Sequence, residues 1–261
     1  MEKYSKIWRL FYAVAIIGIA IQQLVVGTFM PVIVPPNAPL LSGCMACVWI
    51  VSILLLSASL VIIMSDKYAR AASLLIGGFL LLLFLVLHLP FQIKTNLHFL
   101  AGWSDALKIL ALSGGAFVVA SSIPTQSRLV KNIPILQSFI PFGRFFFAID
   151  LLVAGIMHFM YMSFVAMLVP AWIPWHTFWG YLAGVALIAG ALGIILNIQL
   201  KLAADLLGII IFIWLITLHI PRAIADPVTG HGNEIVSVFE ALGFSGIAFL
   251  IAGNGKKKDR V

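Results

Sequence analysis

Apolar residues along the chain neither alternate with polar ones nor keep to one narrow helical stripe; they run in long unbroken stretches separated by short polar connections. A helix needs about 20 such residues to cross ~30 Å of hydrocarbon. Stretches of that kind lie at 8–30, 40–63, 69–88, 103–121, 143–168, 175–196, 201–220 and 235–253. They predict eight transmembrane helices. Strands of a membrane barrel would instead be short and alternate in polarity, so the expected fold is an all-α integral membrane protein.

Composition agrees with the pattern. Of the 261 residues 62% are hydrophobic and only 10% charged, whereas soluble proteins carry about 25% charged residues. Soluble enzymes and nucleic-acid readers are thereby excluded, and the first partner is the lipid bilayer. The net charge of +7 then acts as a topology signal. Lys3, Lys6, Arg9, Lys67, Arg70, Arg128, Lys131, Arg144, Lys201, Lys256, Lys257, Lys258 and Arg260 fall on one side of the eight spans, Lys94 and Arg222 on the other, and Lys108 within a span. The positive-inside rule therefore puts both termini in the cytoplasm. The first span is too long for a signal-peptide core and has no A-x-A cleavage pattern, so it is expected to stay attached.

Sliding the chain against itself by 131 to 135 positions exposes a duplication. Arg9 to Pro35 lies over Arg144 to Pro170, His88-Leu-Pro90 over His219-Ile-Pro221, and Ser113-Gly114 over Ser245-Gly246. The matches keep chain order and nearly constant offset. The expected organisation is a four-span unit at 1–125, a basic linker at 126–142 and a second four-span unit at 143–261. An even number of spans makes the two units parallel, related by an axis along the membrane normal.

The second unit carries His158 in its first span, then Val169-Pro-Ala-Trp-Ile-Pro174, Phe178-Trp-Gly-Tyr-Leu-Ala-Gly184, His219-Ile-Pro-Arg222 and a last span with Ser245-Gly246. This order resembles the DoxX-like family of four-span bacterial membrane proteins, over 143–253 well and over 8–120 weakly. The resemblance implies a bacterial inner-membrane location and a link to respiratory-chain or thiol redox chemistry.

Several residues are candidates for that chemistry. Cys44 and Cys47, the only cysteines, form C-x-x-C at the outer end of the second span, in an oxidising compartment if the topology holds. One reading is a thiol pair exchanging electrons with a quinone; the other is two small apolar residues filling a helix contact. His158, His219 and His88 lie in or at the end of spans, where imidazole can pass protons; for His88 and His219 the competing reading is a helix terminator, completed by the following x-Pro. Arg222 and Glu234 are expected beside His219 on the outer rim. Trp172 and His176 lie where a quinone head could enter laterally, although tryptophans there also serve as interfacial anchors. Asp205 reads as the helical partner of Lys201, and Asp150 as a structural group that reaches the cytoplasmic interface or caps a polar contact. Lys108 and Glu240 occupy equivalent positions in the two units, about five residues or ~7 Å below the outer ends of their spans. Lone buried charges there would cost several kcal/mol, so Glu240 is expected to be protonated or paired with Lys108, Arg222 or His219, a Lys108–Glu240 contact near the axis being the pairing singled out.

The catalytic expectation is therefore Cys44, Cys47, His219 and Glu240. The substrate or quinone-binding expectation is His158, Trp172, His176, Arg222, Glu234 and Lys108. No metal, flavin or nicotinamide signature is present. The combined reading is a quinone-linked oxidoreductase of thiols or small sulfur compounds, or the membrane subunit of such a complex, with an external thiol or sulfur donor and a partner subunit. Its rival is a non-enzymatic scaffold or small-molecule transporter built from parallel repeats.

Overall fold

A computed structural model of the chain describes residues 2–255 apart from 37, 39, 40, 42, 125–129, 131 and 132. The basic residues Arg128, Lys131, Lys256, Lys257, Lys258 and Arg260 lie outside the described residues. Among those described, every regular element is helical. Eight helices are long and apolar enough to cross a membrane: span 1 Ser5–Val26, span 2 Met45–Met64, span 3 Ala69–Thr95, span 4 Leu100–Ser121, span 5 Pro134–Met160, span 6 His176–Leu196, span 7 Leu200–Ala225 and span 8 Thr229–Asn254. The protein is an all-helical, multi-pass membrane protein. The described residues of the connections at 27–44, 96–99, 161–175 and 226–228 form the distal end of the bundle, and the described residues of those at 65–68, 122–133 and 197–199 its proximal end.

Each span packs against its neighbours in sequence, span 8 closes back onto span 1, and spans 4 and 8 meet across the middle. Burial follows that order. Of the most apolar stretch of span 4, 72% is buried, and of span 8, 67%, against 28% in each of spans 2 and 7. The outer spans instead present Ile53, Leu54, Leu75, Leu82, Ile209 and Ile213 outward, which suits a hydrocarbon solvent. Glycine lets the inner helices approach closely, as is usual where no hydrophobic effect drives helices together. A Cβ on Gly114 would lie 2.4 Å from the Gly143 carbonyl oxygen, and one on Gly246 2.8 Å from that of Trp8.

Three expectations change. The first span does not continue to residue 30. Its helix ends at Val26, because Gly27 adopts φ +74 and turns the chain back. Met30, Val32, Ile33 and Val34 are then buried under the distal end, and Gln23 ties the turn down, accepting from the Met30 N–H and donating to Ser52 Oγ at 3.0 Å. The fifth span is not one helix to residue 168: it breaks at Tyr161, and a short helix Met162–Leu168 follows. Part of the expected linker is also helical, at Pro134–Ser138 and Ile140–Phe142. It packs onto spans 3 and 4, with Phe139 stacked on Phe117.

The largest correction concerns His88-Leu-Pro90 and His219-Ile-Pro221, which do not end their helices. Span 3 continues through Pro90 to Thr95 and span 7 through Pro221 to Ala225. A π-helical turn precedes each proline, Phe84–His88 in one and Leu215–His219 in the other. In these turns the Leu89 N–H reaches back to the Phe84 carbonyl and the Ile220 N–H to that of Leu215. A proline in a regular helix clashes with the carbonyl four residues back; the extra residue of the wider turn takes up that misfit.

At the proximal end, arginines satisfy the orphan carbonyls that close span 4. Arg70 Nη1 donates to Ile123 O at 2.6 Å and to Ala120 O, and Arg9 Nη2 donates to Ser122 O at 2.6 Å. Some of the residues that set the charge asymmetry therefore also cap a buried helix end.

Candidate functional site

The two most buried spans carry opposite charges at the level where they face each other. Lys108 Nζ lies 2.8 Å from Glu240 Oε2 and 3.8 Å from Asp105 Oδ1, and the Glu240 side chain is only 7% exposed. The expected Lys108–Glu240 contact is thus present. Glu240 has no cation on its own helix, and a carboxylate taken out of water needs one. The long lysine stem, rooted one turn inside span 4, reaches it from across the bundle.

Around this pair lies more ionisable chemistry than the sequence predicted. Asp150 on span 5 is 4% exposed, within electrostatic reach of Lys108, Glu240 and Asp105, and in no ion pair among the described residues. Of its two structural readings, a reach to the cytoplasmic interface or an internal polar contact, this burial favours the second. Asp150 lies near the middle of the regular helix Gly143–Met160. The cluster holds three carboxyls and one ammonium.

Two imidazoles flank it. His88, on the π-turn of span 3, is 0% exposed, with the Ile33 backbone as the hydrogen-bond partner of its ring. Its charged neighbour is Asp105. His219, on the π-turn of span 7, has a buried Nδ1 without a partner and lies in the fields of Lys108, Glu234 and Arg222. Arg222 and Glu234 form a two-pronged ion pair, with Nε to Oε2 at 2.9 Å and Nη2 to Oε1 as the second prong; Arg222 Nη1 also points at Leu168 O. This pair clamps the distal end of span 7 to the start of span 8. The rim expected around His219 is assembled. Beyond it, the Thr229 N–H donates to the exposed Asp226 carboxylate at 3.0 Å and holds that carboxyl below its usual range.

Cys44 and Cys47 are joined in a disulfide. Cys44 caps the N-terminus of span 2, its sulfur accepting from the Cys47 N–H at 3.2 Å. Residues 44 and 47 fall in one helical turn, and both are half-exposed at the distal end. Span 2 packs mainly against spans 1 and 3, whereas His219 and Arg222 belong to span 7, which packs against spans 6 and 8. The structure therefore does not bring the sulfur pair to the His219 rim.

The other expected binding residues are scattered. His158 spends Nδ1–H on its own helix, donating to Ala154 O at 2.8 Å. His176 opens span 6, directly after Trp175, which is held at φ +58. Trp172 is 66% and Trp175 76% exposed, as expected of interfacial anchors.

Sequence reasoning found Lys108 and Glu240 as charges inside apolar runs at equivalent places in the two units, and Arg222 and Glu234 as charges at the edges of such runs. It left Asp150 between the cytoplasmic interface and an internal polar contact, because its distance from Arg144 suits both. It also assigned His88 to helix termination because a π-turn leaves no mark in composition. Comparison of the chain with protein-family models, with curated proteins and with solved structures gives no match.

Proposed function

We propose that this is a protein of a bacterial inner membrane, built from a DoxX-like four-span unit used twice in parallel, with both termini cytoplasmic. Its activity in this reading is that of a quinone-linked oxidoreductase of thiols or small sulfur compounds, or of the membrane subunit of such a complex. The observation that carries the reading is the Cys44–Cys47 disulfide at the distal N-terminus of span 2. A helix N-terminus favours the thiolate that thiol–disulfide exchange requires.

The chemistry balances in two halves. An external donor thiolate attacks one sulfur of the disulfide and forms a mixed disulfide; a second donor thiol resolves it, leaving donor disulfide and the reduced Cys44 and Cys47. A quinone then takes two electrons and two protons from the pair, giving quinol and restoring the disulfide. Because the cysteines and His219 lie on spans that do not pack together, a mobile quinone rather than a fixed relay suits the second half. His219, Arg222 and Glu234, which share the distal rim, are proposed to hold its head group.

Support for the repeat comes from matched details that composition would not produce. Ser113 Oγ donates to Gly77 O at 2.8 Å, and Ser245 Oγ donates to Gly208 O at 3.0 Å. The two π-turns stand 131 positions apart, and the glycine approaches at Gly114 and Gly246 pair the fourth span of each half with the first span of the other.

The test is thiol titration of the purified protein before and after reduction, followed by reoxidation with a short-chain quinone. Two thiols should appear only on reduction, and one equivalent of quinone should consume them; Cys44→Ser with Cys47→Ser should abolish both. Thiols that stay unreactive to quinone and to donor alike would sink the redox reading. The transporter reading is favoured by one observation, the Lys108–Glu240 pair across the bundle middle, and inert thiols would leave it standing.

A further inference from the structure

The polar centre has an unbalanced composition. Within the bundle, Lys108 faces Glu240 and Asp105 directly, and Asp150 lies in the same field. Three carboxyls share one ammonium. Arg222 does not settle the difference, since its guanidinium is committed to Glu234. Span 1, which packs on span 8, contributes Tyr12, whose hydroxyl donates to Leu112 O at 2.8 Å. In an apolar interior uncompensated negative charge is expensive, so something positive must come and go with it.

A metal cation is a poor candidate, because an ammonium already sits at the centre of the carboxyls. The proton is the better one. His88, buried with its ring bonded to the Ile33 backbone, lies in the field of Asp105, and His219, with an unpartnered Nδ1, lies in the fields of Lys108, Glu234 and Arg222. A buried imidazole without a partner is itself costly. The unpartnered nitrogen on His219, and a second buried imidazole beside Asp105 on the matching π-turn, make the arrangement a proton site; π-turns recur at functional positions.

We propose that Glu240 and Asp150, with Lys108 and Asp105, form a proton-exchange site reached from the distal end by way of His219 and His88. A proton taken from water binds a free imidazole nitrogen, and the ring passes a proton inward to a carboxylate, returning to neutrality. When Glu240 is the acceptor its ion pair with Lys108 is lost, and Lys108 keeps Asp105 as counter-ion. Loss of the proton restores the pair. No electron moves. Because Lys108–Glu240 joins spans 4 and 8, proton occupancy loosens or tightens the contact at the bundle centre. This proposal does not rest on the redox reading.

The experiment uses dicyclohexylcarbodiimide, an apolar reagent that adds only to a protonated carboxyl, on the full-length protein in lipid nanodiscs across a pH series. Peptide mass spectrometry should find N-acylurea at Glu240 or Asp150, or an isopeptide cross-link from Lys108 to Glu240. The rate should fall by up to about tenfold per pH unit on the alkaline side, as the population of a protonated acid does. Glu240→Gln and Asp150→Asn should each erase the adduct at their own position. The variant lacking both cysteines, Cys44→Ser with Cys47→Ser, should react as the wild type does, which separates this site from the thiol chemistry. Absence of modification at both carboxyls, or a rate independent of pH, would overturn the proposal. That result is readable on the wild type alone, should a charge variant fail to fold.

Discussion

Glu240 and Lys108 decide the residue scale. Glu240 is tolerable because Lys108 is 2.8 Å away, while Lys108 also has Asp105 at 3.8 Å, and the loss of one partner of a buried pair leaves an uncompensated charge costing about 3–5 kcal/mol. Lys108→Met and Glu240→Gln should therefore each lower the detergent unfolding midpoint sharply, with Lys108→Met the worse because it strands the carboxyls of Glu240, Asp105 and Asp150 together. The exchange Lys108→Glu with Glu240→Lys should recover much of the loss. A swapped protein no more stable than either single variant would show that the pair does not act as a unit. At the two serines the expectation is symmetry instead of severity. Ser113→Ala and Ser245→Ala each remove one buried hydroxyl-to-carbonyl bond, worth about 1 kcal/mol, and unequal effects would mean that the two halves are packed differently at equivalent sites.

At the scale of the element, the π-turns set the shape of spans 3 and 7. Since Pro90 and Pro221 do not stop their helices, Pro90→Ala should be close to neutral for folding. Deleting Leu87 should not be: it removes the extra residue, returns the Pro90 ring to its clash with the preceding turn, costing about 3 kcal/mol, and rotates the remainder of the span by about 100°. Loss of folded protein for the deletion, alongside normal yield for Pro90→Ala, is the outcome expected by detergent chromatography. A neutral deletion would mean that the wide turn is dispensable. The same paired design applies to Leu218 and Pro221.

For the whole molecule, eight spans in sequence order put alternate connections at opposite ends. With the positive residues gathered at the proximal end, reporter fusions after Lys67 and Gln137 should read as cytoplasmic, and those after Asn96 and Gly230 as external. An external signal after Gln137 would break the eight-span topology. The bundle also places its chemistry unevenly. The disulfide stands on a thinly buried span at the periphery, while the charges stand on spans 4 and 8 at the centre. A redox step at the first and a proton step at the second would therefore have to communicate through a mobile carrier or through movement of whole spans.

The number of spans, their all-helical character and the charge asymmetry were legible in the sequence, because a bilayer forces every backbone polar group to be satisfied within its own segment and so leaves its demand written in local composition. The Lys108–Glu240 contact was legible for a related reason: a buried charge must have a partner, and the duplication named one. What depended on three dimensions was how helices end and what they meet. The turn at Gly27, the break at Tyr161, the π-turns carrying His88 and His219, and the depth of Asp150 are set by packing between spans distant in sequence. Composition within one span records nothing of them, because the same residues would suit a straight helix facing lipid; only the neighbouring helices make an unpartnered imidazole or a fourth ionisable group at the bundle centre recognisable.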